Sequence, residues 1–471
     1  MMLFKVASRS IFRNTRRSLT TMLTIAVGTA ATLVFGAYTT YVTYGLQTAT
    51  VQRVGHLAIY RNGYFDFGSG NPAIWGISHY DRLLRLVADD PVLKPLIAVA
   101  TPVQSLAGIA GNFDKDESRT FLGTGFLPSD RDAMKRWNEY GVGSLGVQHS
   151  GLSDSDSSQG IVGIGLARIL GLCDQLHLDK CLKVPDGAPA TVEVSSSVSS
   201  LPRQDFSDLV ARDKPAAADP PGEGRPHIDL LAATAGGAPN VVSLEIRRVE
   251  PQGVRELDDA FVGMHLALAQ QLVYGRGEHR ATGIVLQLHR TQDLEKARAR
   301  LKQVFADHRL DLEVRDFAEL NPFYTQAINL FGSIFSFISV IIAVVVLFTV
   351  SNAMGMSVVE RTDEIGTTRA LGVRRGGIRR QFLLEGAMLG LFGATLGVAI
   401  ALVVAYFVNG AGITYTPPAQ AQPVPLRLYM LGAPGFVAIV WMILTVVATL
   451  AAYLPANRAA KLQIVDALRH V

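Results

Sequence analysis

Residues able to do chemistry are sparse in this sequence. It holds two cysteines, Cys173 and Cys181, which flank D-Q-L-H-L-D-K with His177 midway. In an oxidising compartment a short-loop disulfide between them is the leading reading. Closing so short a loop pins local geometry more than global stability. A metal site on Cys173, His177 and Cys181 has the right ligand types but lacks a fourth ligand, and two free thiols are the third reading. No G-x-x-x-x-G-K-[ST] phosphate loop, H-E-x-x-H or G-x-S-x-G occurs, and the ten histidines are scattered. No catalytic constellation or metal site follows. The chain is therefore read as non-enzymatic, and any ATP that drives it as hydrolysed by a partner.

The other concentration of reactive side chains is residues 360–372, E-R-T-D-E-I-G-T-T-R-A-L-G. Glu360 and Glu364 lie one turn apart, as do Arg361 and Ile365, which gives a short helix a charged face and an apolar edge. Helices below roughly 12–15 residues are marginal in water, so this one is expected to dock against something. A solvated loop helix without a partner is the plain alternative.

What must position this segment is membrane. Residues 320–359 and 386–426 on either side carry no Asp, Glu, Lys or Arg, and neither do residues 18–52. A hydrophobic content of 49% with a mean hydropathy of +0.25 is too apolar for a soluble enzyme, while 18% charged residues are too many for an all-membrane carrier. Four spans are expected, since about 20 apolar residues cross a bilayer: 19–49 with a stalk, 326–356, 381–408 and 428–454. The first is read as a retained anchor, being too long for a cleaved signal. In the third, Gly386, Gly390, Gly393 and Gly397 would let helix backbones approach, with merely tolerated glycine as the alternative.

Basic residues set the orientation. Lys5, Arg9, Arg13, Arg16 and Arg17 precede the first span, Arg361, Arg369, Arg374, Arg375, Arg379 and Arg380 separate the second from the third, and Arg458, Lys461 and Arg469 follow the fourth. The positive-inside rule places both termini, the 357–380 loop and the 455–471 tail in the cytoplasm. Residues 50–325 and the short loop 409–427 then lie outside. Residues 1–18 are expected as an amphipathic helix against membrane lipid. The net charge of +4 is small and clusters at membrane flanks, which argues against nucleic acid as a partner.

The external segment reads as α/β. A helix is expected at 80–90, strands at 96–103, 119–126, 283–289 and 310–317, and a charged helix at 291–308. Two discontinuous halves would then flank an inserted subdomain at about 130–250, with helices at 161–172 and 257–274 in or beside it. The Ser-, Asp- and Gly-rich 148–160 and the Pro-, Gly- and Ala-rich 213–240 are expected to be loose.

The motif at 360–372 resembles E-R-x-x-E-I-G-x-x-R-A-L-G of the FtsX-like permeases, a family that includes macrolide-export and lipoprotein-releasing permeases. Glu360, Arg361, Glu364, Ile365, Gly366, Arg369, Ala370, Leu371 and Gly372 match, while Thr367 and Thr368 replace apolar residues. E-G-A-M-L-G-L-F-G-A-T-L-G from Glu385 is similar to the family's third span. P-A-N-R-A-A-K-L-Q-I-V-D-A-L-R from Pro455 resembles its C-terminal signature, and L-A-R-I-L-G-L-C-D from Leu166 a motif of its external domain. The resemblance implies an α-helical integral membrane domain of four transmembrane helices, with a large α/β periplasmic domain inserted between helices 1 and 2.

It further implies a coupling segment that sits in a groove on a separate ABC ATPase subunit, through Glu360, Arg361, Asp363, Glu364, Ile365, Gly366, Arg369, Leu371 and Gly372. ATP and magnesium would sit on that partner, and no cofactor on this chain. A second permease copy or a paralogue would complete the assembly in a bacterial inner membrane. It would release or export a lipoprotein, lipid or other amphiphile by mechanotransmission, with a periplasmic adaptor or lipoprotein cargo as further partners. The alternative is an ATP-driven regulator that activates a periplasmic or cell-wall partner without transport.

Overall fold

The computed structural model describes residues 15–68, 70–142, 149–178, 226–275, 279–416 and 423–463. Most of the amphipathic helix expected at 1–18, residues 213–225 of a stretch expected to be loose, and Cys181 lie outside the described residues. The chain opens with α1 (Thr15–Val54), β1 (Leu57–Arg61), β2 (Ile77–Ser78), α2 (Tyr80–Asp89), β3 (Ile97–Asn112), β4 (Glu117–Phe126) and α3 (Pro128–Lys135). It continues with β5 (Gln159–Val162), α4 (Ile164–Ile169), β6 (His227–Ala233), β7 (Pro239–Val249), α5 (Arg255–Asp258), β8 (Phe261–His265), α6 (Leu266–Tyr274), β9 (Arg280–Ala281), β10 (Gly283–Leu288), α7 (Leu294–Asp307) and β11 (Leu312–Asp316). Next come α8 (Phe317–Leu320), α9 (Pro322–Glu360), α10 (Thr362–Ala370), α11 (Arg375–Gly410), β12 (Thr414–Tyr415), β13 (Val424–Pro425), α12 (Pro434–Ala451) and α13 (Tyr453–Lys461).

Four stretches, α1, α9, α11 and Pro434–Lys461, are long and apolar enough to cross a membrane by length and composition. The Thr-rich α1 tolerates an apolar setting because its hydroxyls turn inward. Thr21, Thr29 and Thr32 each donate to the carbonyl four residues back, at 2.8–2.9 Å. The fourth helix differs from the span expected at 428–454. It starts only at Pro434, which occupies the first turn, where a missing N–H costs no bond. Ahead of it, Leu428 and Met430 are buried against the bundle, and Asn409 clamps the Leu428 backbone through both its amide groups. Nor does Pro455 end the helix: the break falls at Ala452, so Pro455 sits in the first turn of α13 and the helix runs on to Lys461.

The α/β part joins two bodies on one nine-stranded sheet in the order β11-β1-β10-β3-β4-β8-β5-β7-β6. The first half of β3 pairs with β10, which extends the antiparallel set β11-β1-β10. One face of that set is covered by α2 and α7. In α7, Leu294, Ala297, Leu301, Val304 and Phe305 recur at helical spacing and are all buried. Val51, near the end of α1, belongs to the same core, so the membrane helix ends inside the domain.

The second half of β3 starts another body. It pairs with β4, and at Ile109–Gly111 also with β6, which closes β3-β4-β8-β5-β7-β6 into a ring. Leu106, Phe121, Ile228, Leu244, Val262 and Met264 form its core together with Leu166 of α4, Leu170 just past it and Leu272 of α6. The unit expected at about 130–250 therefore draws on β3, β4 and β8, beyond both of those bounds. Ring closure also overrides two expected helices. Gln159–Val162 and Phe261–His265 pair with each other as strands, leaving helix at Ile164–Ile169, at the end of α5 and at Leu266–Tyr274. Likewise β6 and the start of β7 occupy residues expected to be loose.

Where α1 meets the sheet, Gly55 adopts φ +72, and a Cβ there would lie 2.5 Å from Val285. The turn delivers His56, fully buried, to the end of β10. Its Nδ1 accepts the Leu288 N–H at 3.0 Å, which leaves the proton on Nε2 to be donated to Thr291 Oγ1 at 3.2 Å. Burial pushes the His56 pKa down from 6.5 to about 4. The unfolded chain therefore takes up a proton first as pH falls. Stability from this group is complete above about pH 6.5 and is lost between 6.5 and 4, on the order of 3 kcal/mol in all. Thermal unfolding in detergent from pH 7 to 4 should fall more steeply for the native chain than for His56→Gln. Parallel curves would show that His56 is not the titrating group.

Candidate functional site: the polar elbow between α9 and α11

The segment 360–372 lies at the end of the bundle remote from the α/β domain, because α9 leaves that domain at Pro322 and runs 39 residues to end at Glu360. It forms a tight elbow with α10 as its arm. The arm closes in a Schellman arrangement: Val373 N–H bonds the Thr368 carbonyl at 3.3 Å and Gly372 N–H the Arg369 carbonyl at 3.0 Å. Gly372 makes this possible with φ +98, a conformation that strains other residues.

The elbow sorts its charged residues by direction. Arg361, at the N-cap of α10, is buried and points into the bundle. Its Nη1 reaches both Glu385 oxygens, at 3.0 and 3.2 Å, and its Nε donates to Glu364 Oε2 at 3.2 Å. The guanidinium also lies 5.7 Å over the Phe382 ring. Glu385, on α11, is only 3% exposed, so each charge supplies the partner the other needs. Glu360 pairs with Arg17 of α1 at 2.8 Å, and Arg369 donates to the Leu462 carbonyl just past α13. The elbow is thus tied to every long helix of the bundle.

Ile365 and Gly366 are also buried, Ile365 in a core shared with Val358, Ile378, Phe382, Ala456 and Ala459. What α10 presents outward is Asp363, Thr367, Ala370, Leu371 and Gly372, with Glu364 exposed but held by Arg361. Leu371 is 82% exposed. Thr367 and Thr368 satisfy their hydroxyls on carbonyls of their own helix. Arg361, Ile365 and Gly366, expected among the coupling residues, turn into the bundle. A charge this close to four apolar helices is stabilised best by an internal counter-ion, and Ile365 follows it inward one turn later.

The glycines of α11 divide between two neighbours. A Cβ on Gly386 or Gly390 would meet Ala452 at 2.4 Å or Ala448 at 2.8 Å. On Gly393 or Gly397 it would meet Ile25 at 2.8 Å or Thr29 at 2.5 Å of α1. Backbone contact on both sides holds α11 between α1 and the fourth helix. Cys173 lies in a turn after α4, where its carbonyl accepts the Leu178 N–H; Cys181 is outside the described residues. The sequence alone paired neither Glu385 nor Arg17 with the elbow. The signal for Glu385 was present: a lone acid heading a charge-free stretch requires a counter-ion.

Long apolar helices gathered round a buried ion pair, with an α/β unit between the first two in chain order, fit a membrane protein. Residues 334–464 match the family described as FtsX-like permease C-terminal, so the membrane part of this chain from α9 onward is similar to that family. It is 35% identical to the macrolide export ATP-binding/permease protein MacB of Bordetella avium over 133 residues, 28% of this chain and 18% of that protein. It is 28% identical to the lipoprotein-releasing system transmembrane protein LolC of Neisseria meningitidis over 247 residues, 50% of this chain and 57% of the relative. Over 135 residues it is 36% identical to the ABC transporter permease YtrF of Bacillus subtilis, 28% of this chain and 30% of that protein. The chain thus spans from under a fifth to just over half of the length of these relatives.

Removing one partner of the buried pair leaves a charge without compensation, at a cost of about 3–5 kcal/mol, whereas replacing both with apolar residues is often neutral. Glu385→Gln and Arg361→Met should each lower the melting temperature in detergent strongly. The double variant Arg361→Met/Glu385→Leu should recover most of the loss. Single variants as stable as the native chain would show that the pair does not hold the elbow.

Proposed function

We propose that this chain is the permease subunit of an ABC transporter in a bacterial inner membrane. The observation that carries the reading is the elbow: three of its charged side chains brace the bundle, and Asp363, Thr367 and Leu371 remain outside it. A leucine 82% exposed at the tip of a short helix, with an acid two turns before it, suits a groove on another protein. In this reading the groove belongs to a separate ATPase subunit, which holds ATP and magnesium. The relatives' names, an ATP-binding/permease protein and a permease among them, support it.

The residues of this chain spread a push on α10 in three directions. Arg361 passes it to α11 through Glu385, Glu360 to α1 through Arg17, and Arg369 to the segment after α13. From the elbow, α9 leads straight back to the α/β domain, and α1 ends inside that domain's core. Asn321 at the head of α9 donates to Thr50 Oγ1 of α1 at 3.3 Å, so both helices enter the domain side by side. Motion at the elbow therefore reaches the domain, which in this reading lies in the periplasm with both termini cytoplasmic. A second permease copy or a paralogue completes the assembly. In this reading it releases or exports a lipoprotein, lipid or other amphiphile, which the names of the macrolide-export and lipoprotein-releasing relatives support.

The chain purified gently from native membranes should bring an ATPase subunit with it. Leu371→Glu, which changes an exposed residue, should cut that recovery at least tenfold while leaving the melting temperature unchanged. An absent ATPase, or equal recovery with Leu371→Glu, would count against the reading.

A further inference from the structure

The α/β domain has a third attachment to the membrane bundle besides α1 and α9. The loop between α11 and the fourth helix is pinned to the bundle by buried Leu428 and Met430, and by a bond from Tyr429 N–H to the Ala37 carbonyl of α1 at 3.2 Å. Between those two anchors the Tyr429 side chain turns toward the domain. Its hydroxyl donates to the Tyr140 carbonyl at 3.0 Å, which among the described residues is the one hydrogen bond from this loop to the α/β domain. The Tyr429 ring stands edge-on to Tyr44 of α1, with centroids 5.5 Å apart. Tyr44 in turn stacks flat on Tyr140 at 4.1 Å, with the planes 2° apart.

Tyr140 is bound into the domain. Its hydroxyl donates to Thr291 Oγ1 at 3.3 Å, at the turn before α7 where His56 also bonds. The preceding residues follow α1: Gln52 donates to the Lys135 and Trp137 carbonyls at 2.9 and 2.7 Å. Trp137 donates to the His289 carbonyl and stands edge-on to His56. One run of aromatic contacts therefore leads from the loop, across α1, to the end of β10.

We propose that Tyr44, Tyr140 and Tyr429 form a latch through which the loop between the third and fourth membrane helices sets the tilt of the α/β domain. The latch is built to open. All three tyrosines are already half-exposed, and a single neutral hydrogen bond is a modest restraint. Flat-stacked and edge-on rings also have neighbouring arrangements into which they can slide. A shift of α11, which the elbow grips through Glu385 and which ends next to this loop, would reach the domain here independently of α1 and α9. The geometry of the latch stands alone, and its part in ATP-driven motion rests on the transporter reading.

The test measures the distance between spin labels at Lys302 on α7 and Ala411 after α11, both exposed positions, in the full chain in nanodiscs. A single narrow distribution is expected for the native chain. Tyr429→Phe, which removes only the hydroxyl, should broaden it, and Tyr429→Ala should at least double its width. Tyr415→Phe, which removes the hydrogen bond from the same loop to Tyr38, should leave the width unchanged. A Tyr429→Ala distribution as narrow as the native one overturns the latch. So does equal broadening by Tyr415→Phe, which would mean a loosened loop. With an ATPase subunit bound, ATP should shift the native distance and shift it less in Tyr429→Ala. Failure to bind any ATPase would sink the transporter reading, while the first comparison still decides the latch.

Discussion

Arg361 and Glu385 are two charges taken out of water at one end of an apolar bundle, and neither is stable there without the other. That constraint orders the elbow. Once the guanidinium is drawn in over Phe382, α10 must roll so that Ile365 and Gly366 face the helices, and its opposite side, with Leu371, faces out. The left-handed Gly372 then reverses the chain into α11, which carries Glu385. The pair therefore fixes both the direction of the exposed face and the seat of α11. Small residues do the rest, since lipid supplies no hydrophobic drive between helices and close backbone packing must hold them. Gly386 to Gly397 let α11 touch the fourth helix with one end and α1 with the other.

At the far end of the bundle the same economy of parts recurs. α1 is one helix of 40 residues that begins beside Glu360 and ends in the core of the α/β domain. β3, with 16 residues, belongs to the flat sheet over its first half and to the ring over its second, so the two bodies share one strand. A force that tilts α1 acts on the flat sheet first and reaches the ring through β3. The buried His56, bonded at both ring nitrogens and uncharged at neutral pH, keeps the α1 turn locked to β10.

How much of this was legible depends on the range of the interaction. The charge-free stretches announced long apolar helices, because lipid imposes its demand on every residue locally. The FtsX-like segment was equally plain from its motifs. Direction was not. The spacing of Arg361 and Ile365 shows that they share a face, but whether that face turns inward depends on Glu385, 24 residues away. Apolar runs such as I-V-G-I-G-L-A and F-V-G-M-H suit helix or strand by composition, and ring closure chose strand for Ile161 and for Phe261. Pro455 looked like a helix end, yet in the first turn of α13 it costs no hydrogen bond. The tyrosine contacts join residues from three separate parts of the chain and left no local trace.

We propose that the elbow braces the bundle with its inner face and receives an ATPase on its outer face. Site-specific photo-crosslinking in native membranes tests it most directly, with a benzophenone side chain placed in turn at Asp363, Ile365, Thr367 and Leu371. Adducts with an ATPase subunit are predicted from Asp363, Thr367 and Leu371, and none from Ile365, which lies in the core with Phe382 and Ala456. Adducts from Ile365 with none from Leu371, or no ATPase adduct from any of the four, would contradict the account.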